Sequence, residues 1–173
     1  MTNIYLRRST INDLDEIVEI IDQAKQLLKN DGSPQWQSGD PSREILKSDI
    51  EQRISWVLLV DDKVAGVATL LDQPEPSYAQ ISAGNWNNTT QPYMTIHRVA
   101  VSADYRGQHL SKFLFSNLMT IAMELGFHNL RIDTHLKNQR MQRIAKNLGF
   151  EYRGIVNVSD PIDPSRLAYE LNL

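Results

Sequence analysis

The residues most suggestive of chemistry lie where a predicted strand meets a predicted helix, at Arg106-Gly107-Gln108-His109-Leu110-Ser111. The first turn of a helix carries backbone N–H groups without intrahelical partners, and the helix dipole adds partial positive charge there. An anion such as a phosphate is therefore attracted to this junction. Gly107 allows a close approach to the backbone, and Arg106 can add a charge-assisted hydrogen bond. Taken alone, the same residues also fit a plain strand-to-helix connection whose glycine merely turns the chain.

Predicted strands and helices alternate around this junction, which indicates a mixed α/β fold. Strands are predicted where β-branched and aromatic residues cluster, and helices where apolar residues recur every three or four positions. The order along the chain is βααβββαβαββ, and residues 72–91 are expected to form a loop around a short strand. The predicted strands cover 3–8, 56–60, 64–71, 93–101, 129–134, 150–158 and 166–171, and the predicted helices begin near residues 10, 40, 107 and 141.

A second patterned region follows about thirty residues after the first. Asn138 precedes a short predicted helix containing Met141, and Leu148-Gly149-Phe150 end it. An ordinary helix with a terminal glycine and a core phenylalanine explains Gly149 and Phe150, but not the joint spacing of the two regions. Together with the order of elements, the two regions resemble the GNAT superfamily of N-acetyltransferases over essentially the whole chain. The family pattern at the first region is Arg/Gln-x-x-Gly-x-Gly/Ala, here with His109 and Ser111 at the two small-residue positions.

The resemblance implies a six- to seven-stranded mixed, largely antiparallel sheet flanked by about four helices, with residues 1–173 forming a single acyl-CoA N-acyltransferase domain. It also implies acetyl-CoA as the acyl donor, lying in a cleft where two strands splay apart. The pantetheine arm would run beside the strand and meet Asn138, and the pyrophosphate would bind the helix start. The expected cofactor-binding residues are Val99, Ala100, Val101, Arg106, Gly107, Gln108, His109, Leu110, Ser111 and Asn138.

The chain departs from the family at Ala145, four residues before Gly149. Many GNAT enzymes have a tyrosine there, which protonates the departing CoA thiolate. Another group or solvent could protonate the thiolate, because general-acid help is worth only about 10²–10⁴-fold in rate. Two functions follow: an acetyl-CoA-dependent N-acetyltransferase in which a primary amine attacks the thioester directly, or a non-catalytic acyl-CoA-binding sensor or scaffold of the same fold.

An attacking amine must first lose a proton, and His97 is the leading candidate base because it lies two residues before Val99 on the cofactor-side strand. On a regular strand these two side chains would point to the same face. An imidazole changes its charge close to neutral pH, although a half-buried structural histidine explains the residue equally well. Asp133 and His135 are second candidates, expected to share a face at the end of the next strand. Two clustered ligands are too few to predict a metal site.

Composition excludes several other classes. The 173 residues contain no cysteine, which excludes thiolate catalysis and disulfides, and the net charge is −3. The basic residues are scattered, so no nucleic-acid partner is expected. No apolar run is long enough to cross a membrane and no signal peptide is evident, so a cytoplasmic location is expected. The expected partner is a small-molecule or peptide amine of unspecified identity, and a homodimer is left open.

Overall fold

The structure is a computed structural model that describes residues 2–173 and has the order of helices and strands that the sequence predicts. Three single-turn 3₁₀ helices, at Ile11–Asp13, Pro76–Ala79 and Ala103–Tyr105, connect the main elements. The main elements are β1 (Ile4–Arg8), α1 (Leu14–Asn30), α2 (Arg43–Glu51), β2 (Ser55–Val60), β3 (Lys63–Leu71), β4 (Met94–Val101), α3 (Leu110–Glu124), β5 (Asn129–Thr134), α4 (Gln139–Asn147), β6 (Glu151–Asn157) and β7 (Ser165–Asn172).

The strands form one sheet in the order β1-β2-β3-β4-β5-β7-β6. Every neighbouring pair is antiparallel except β4 and β5, which run parallel. This confirms the predicted mixed α/β fold with a largely antiparallel sheet and four helices. The parallel pair is joined through α3, as expected because parallel neighbours need a crossover connection.

The sheet opens between its two parallel strands. β4 and β5 pair only at Met94↔Leu130 and Thr95↔Arg131. β4 continues to Val101 and β5 to Thr134, so the rest of each strand diverges from the other. The divergence leaves one backbone edge of β4 without a strand partner, which is the geometry that the family resemblance implies for a cofactor cleft.

Helices cover both faces of the sheet. Leu114 and Leu118 of α3 and Ala145 of α4 are fully buried on one face, and Ile17 and Ile21 of α1 are fully buried on the other. Full burial of a large aliphatic side chain stabilises the fold by about 1.5–3 kcal/mol. These two layers of helices therefore hold the strands on either side of the opening between β4 and β5 in place.

A β-bulge in β4 changes the expected direction of a candidate side chain. The β3–β4 register shifts between Val67 and Thr69, and Arg98 has a left-handed φ of 53°. Such a bulge breaks the alternation of side chains along the strand. Val99 packs into the core cluster on the α3 face, whereas His97 pairs with Thr69, whose hydroxyl reaches α2 on the other face. The prediction that His97 and Val99 share a face is therefore wrong.

Several boundaries and one short element also differ from prediction. α2 begins at Arg43 rather than at Asp40-Pro41, because the Ser42 hydroxyl accepts the Ile45 N–H at 3.3 Å as an N-cap. α3 begins at Leu110 rather than at residue 107. The short strand expected within 72–91 is instead the 3₁₀ turn at Pro76–Ala79, followed by an isolated bridge between Ser82 and Ile155.

Candidate active site

A cavity of about 940 Å³ occupies the opening between β4 and β5. Its wall is completed by the start of α3, by α4, and by the α1–α2 connection that carries Gln35 and Trp36. Of the candidate residues, those that line the cavity are His97, Val99, Ala100, Val101, Arg106, Gly107, His109, Leu110, Ser111, Asp133 and Asn138. Gln108 and His135 are not part of the wall.

Backbone conformation at the start of α3 exposes donors to this cavity. Gly107 has a φ of 83°, and His109, the N-cap residue of α3, has a φ of 58°. Histidine enters the left-handed region more readily than most residues, which explains how it stands where the family pattern has glycine. Among the described residues, no backbone acceptor is found for the N–H groups of Gly107, His109, Leu110 or Ser111. The Gln108 N–H instead donates to the Tyr105 carbonyl at 3.3 Å.

Cationic residues also line the cavity. They include Arg106, Lys112, Arg140 and Arg143, of which Arg140 is held by Asp31 at 2.8 Å. The space beside Gly107 is also open, since a Cβ added to this residue would meet no atom within 4 Å. Residues 106–112 with Arg140 and Arg143 are called the cationic end of the cavity. Free N–H groups at a helix start with surrounding cations suit a polyanion such as a pyrophosphate.

Asn138 is tied to two neighbours at the β5–α4 junction. Its Oδ1 accepts the Met141 N–H at 3.2 Å as the N-cap of α4, and its Nδ2 donates to Gln35 Oε1 at 3.3 Å. The same Gln35 oxygen accepts the His135 N–H at 3.1 Å. Asn138 therefore joins the cavity wall to the α1–α2 connection, beside any molecule lying along β4.

His97 is the centre of a side-chain cluster on the opposite part of the wall. Its Nε2 lies 3.2 Å from Glu75 Oε2, and its Nδ1 lies 4.0 Å from Asp133 Oδ2. The Tyr78 hydroxyl donates to that Asp133 oxygen at 2.7 Å. The hydrogen bond from His97, with help from Ser77, lowers the pKa of Glu75 to about 2. Glu75 is thus ionised at neutral pH. Its contact with Nε2 orients the imidazole so that Nδ1 lies towards Asp133.

Asp49 of α2 is a further carboxylate in the cavity wall. Its Oδ2 accepts the Arg98 guanidinium N–H at 2.9 Å and the Thr69 hydroxyl at 3.0 Å. Its side chain is only 8% exposed, and this burial raises the pKa of the carboxyl despite the nearby arginine. Asp49, Glu75, Asp133 and Asp160, together with His97, Arg98 and Arg166, are called the acidic end of the cavity.

A buried ion pair fixes the segment that supplies Glu75 and Tyr78. Glu170 is fully buried and accepts the Asn87 N–H at 2.6 Å, and its partner Arg131 lies 3.3 Å away. The Arg131 guanidinium lies between the rings of Trp86 and Tyr93, at 4.1 and 3.9 Å from their centroids. Trp86, which sequence alone left as either a pocket or a core residue, therefore belongs to the core, whereas Trp36 lines the cavity.

The two candidates at the end of β5 have different surroundings. Asp133 reaches the cavity beside His97, with Arg166 at 4.0 Å. His135 is buried, and both ring nitrogens are engaged: Nδ1 accepts the Lys137 N–H at 3.1 Å, and Nε2 donates to Asp163 at 2.9 Å. The structure thus brings Asp133 and His97 together and gives His135 a structural position outside the wall.

Ala145 offers no room for the family's tyrosine. It is fully buried in the core cluster and its carbonyl accepts the Phe150 N–H at 3.0 Å, while Met141, Ile144 and Leu148 line the cavity instead. No substitute acid is supplied from this position.

Sequence reasoning missed Asp49, Glu75 and Tyr78. Asp49 had a detectable signal, since helical spacing places it on the buried face with Leu46 and Ile50, where an isolated carboxylate is unusual. Glu75 and Tyr78 had no comparable signal, because they stand in a loop whose position depends on contacts with distant strands.

Comparisons with known proteins agree with this geometry. The Acetyltransferase (GNAT) family model matches residues 21–150. A GNAT-family acetyltransferase structure from Streptococcus agalactiae is 33% identical, with 98% of this chain and 95% of that chain covered and a TM-score of 0.88. The ribosomal-protein-S18-alanine N-acetyltransferase of Escherichia coli is 18% identical over 99% of this chain and 94% of that chain (TM-score 0.68). The NatC complex bound to Gag peptide and CoA is 13% identical over 99% of each chain (TM-score 0.69). The last two show the fold alone, and a search of curated proteins found no match.

The chain therefore belongs to the GNAT family of acetyltransferases. Acetyl-CoA-dependent acetylation of amines is general for this family.

None of the helices between residues 2 and 173 is both long and apolar enough to cross a membrane. Within the same range, no group of three or more histidine, cysteine, aspartate or glutamate residues has a geometry suited to a metal ion.

Proposed function

We propose that residues 1–173 form one acyl-CoA-dependent N-acetyltransferase domain that transfers an acetyl group from acetyl-CoA to a primary amine by direct attack. The observation that carries the proposal is the joint geometry of one cavity. Its cationic end offers free N–H groups for a pyrophosphate, and its acidic end offers an imidazole held by an ionised carboxylate.

At the cationic end, the N–H groups of Gly107, His109, Leu110 and Ser111 bind the pyrophosphate of acetyl-CoA, and Arg106 adds a charged donor. The pantetheine arm lies along the unpaired edge of β4 at Val99, Ala100 and Val101, with Asn138 on the other side. In this proposal the thioester lies near the bulge at Arg98, next to the acidic end. Gln108 takes no part, because its N–H already has an acceptor.

At the acidic end, His97 acts as the general base. Glu75 is an acceptor at neutral pH, so the neutral imidazole holds its proton on Nε2 and leaves the Nδ1 lone pair free. Nδ1 takes the proton from the ammonium form of the acceptor, directly or through one water. The amine nitrogen then bonds to the acetyl carbon, the carbon–sulfur bond breaks to release CoA as its thiolate, and the second proton that the nitrogen loses passes to water. Asp133, held by Tyr78, stabilises the positive charge that passes to the imidazole.

Solvent protonates the departing thiolate in this proposal, because Ala145 supplies no acid and is buried away from the cavity. That same observation favours the second candidate function, an acyl-CoA-binding sensor or scaffold without turnover. The Ala145→Tyr variant is not expected to restore an acid, since a phenol ring at a fully buried alanine would overpack the core.

Two measurements separate these candidates. At about 100 times its dissociation constant, acetyl-CoA should stabilise the fold by about 2.7 kcal/mol, seen as a rise in melting temperature of roughly 5–10 °C. CoA release should then appear above the hydrolysis blank when a panel of amines and peptides is added. A flat melt with millimolar acetyl-CoA would refute both functions, and a shifted melt without CoA release would favour the sensor.

A further inference from the structure

The acidic end carries more negative than positive charge. The contacts join four carboxylates, Asp49, Glu75, Asp133 and Asp160, to two guanidinium groups and one imidazole. With His97 neutral, as a base must be, the carboxylates outnumber the cations by two. The side chains of Asp49, Asp133 and Asp160 are each only 8% exposed, so solvent compensates little of this charge.

The neighbouring arginines do not complete the compensation. Arg166 donates to Asp160 at 2.6 Å and to the Ser165 carbonyl at 2.9 Å, while its Nε stays 4.0 Å from Asp133 Oδ1. Both hydrogen bonds to Asp49 go to Oδ2. Within residues 2–173, Asp49 Oδ1 and Asp133 Oδ1 have no hydrogen-bond donor, although both side chains line the cavity.

Two buried carboxylates with an open oxygen beside one base can hold two cationic groups. We propose that the acceptor is a dicationic amine, a molecule with two ammonium groups, in which Asp49 binds the distant ammonium and the reacting amine faces His97 and Asp133. This inference rests on the proposed acetyl transfer. In this inference Asp49 selects the acceptor, and His97 takes the proton from the reacting amine.

An acceptor with a carboxylate fits the same surface less well. Arg98 is the one guanidinium of the acidic end that is substantially exposed, at 28%, and is the natural partner for a ligand carboxylate. However, its bond to Asp49 is 2.9 Å long, so a carboxylate on Arg98 would lie against the Asp49 carboxylate. Like charges in a poorly solvated site repel each other strongly, which disfavours amino-acid acceptors.

Three acceptors of equal chain length test the inference: cadaverine with two amines, n-pentylamine with one, and δ-aminovalerate with an amine and a carboxylate. CoA release is measured for each with saturating acetyl-CoA. We expect kcat/KM to be at least about tenfold higher for cadaverine than for n-pentylamine, as one charge-assisted bond provides, and lowest for δ-aminovalerate. Asp49→Asn keeps one acceptor oxygen, which can serve both Arg98 and Thr69, but removes the charge, so it should reduce the preference for cadaverine to about twofold or less.

Asp62→Asn, on the exposed β2–β3 turn, is the matched control and should leave the preference unchanged. A melting curve with acetyl-CoA shows that each variant is folded and binds the donor. Equal or faster turnover of δ-aminovalerate would overturn the inference while leaving the acetyltransferase proposal intact. So would an Asp49→Asn variant that slows all three acceptors equally, which would make Asp49 part of the proton-transfer chemistry. CoA release from none of the three, nor from the wider amine panel, would overturn both.

Discussion

The cationic end of the cavity is built mainly from backbone, whereas the acidic end is built from side chains. At the cationic end, four free N–H groups come from one five-residue segment, Gly107 to Ser111. At the acidic end, Asp49, Glu75, His97 and Asp133 come from α2, from a loop, from β4 and from β5. A side-chain substitution leaves the backbone N–H in place and affects it only by changing the backbone conformation. Substitutions at the cationic end should therefore weaken acetyl-CoA binding only in part. A side-chain base has no replacement, so its loss should abolish most of the rate.

The largest expected effect is at His97. The His97→Ala variant should lower kcat/KM by about 10²-fold or more, roughly 2.7 kcal/mol of transition-state stabilisation, because His97 is the one imidazole among the described residues of the acidic end. Acetyl-CoA affinity, measured by titration calorimetry, should barely change.

His128→Ala, at an exposed position before β5, is the control and should retain the parent rate. Near-normal turnover by His97→Ala would make the residue structural and transfer the base role to Asp133.

The next effect concerns Glu75. Glu75→Gln keeps the size of the side chain, but with its oxygen held by the Ser77 N–H and hydroxyl, its amide N–H would face His97 Nε2 and shift the imidazole proton to Nδ1. The base would then face the acceptor in the wrong tautomer, so kcat should fall by about tenfold or more while acetyl-CoA affinity stays constant. A Glu75→Gln enzyme with unchanged kcat would show that the tautomer is set elsewhere.

The same carboxylate should leave a mark on stability at low pH. Because the pKa of Glu75 is lowered from 4.5 to about 2, its ionised form stabilises the fold above pH 4.5, and this contribution is lost as the pH falls through about 2. Urea unfolding at several pH values should therefore show the parent more stable than Glu75→Gln near neutral pH, with the difference shrinking in acid. A stability difference that stays constant from about pH 5 to about pH 2 would contradict the assignment of His97 as the partner that lowers the pKa of Glu75.

How much the sequence could predict also differs between the two ends. The order of elements and the strand-to-helix junction follow from local patterns, because hydrophobic period and a glycine near a helix start are properties of neighbouring residues, whereas the largely antiparallel sheet was implied by the family resemblance. The acidic end depends on the bulge at Arg98 and on the Glu170–Arg131 pair that fixes the loop carrying Glu75. Neither feature leaves a local pattern in the sequence. The predicted face of His97 is therefore wrong, and Glu75 was not predicted.

At the cationic end, Gly107→Ala should weaken acetyl-CoA binding more than it weakens the fold. An alanine Cβ meets no protein atom within 4 Å, so the cost to the fold is the left-handed φ of 83°, about 1 kcal/mol. The added methyl group would stand where the pyrophosphate approaches the N–H groups, and the dissociation constant should rise by roughly tenfold, or about 1.4 kcal/mol. Paired thermal melts and calorimetry separate the two quantities. Equal losses in both would place the pyrophosphate elsewhere.

The smallest effect is expected at His109, where this chain differs from the family pattern. The residue is exposed and holds a φ of 58°, a conformation that glycine adopts without strain. In the proposal the N–H group rather than the ring binds the pyrophosphate, so His109→Gly should keep the binding geometry and relieve strain worth about 1 kcal/mol or less. Part of that gain is offset by the greater freedom of glycine in the unfolded chain. The melting temperature should therefore shift by only a few degrees, and acetyl-CoA affinity should stay within about threefold of the parent value. A loss of affinity beyond tenfold would show instead that the imidazole ring itself binds the cofactor phosphates, and the cationic end would then depend on side chains as the acidic end does.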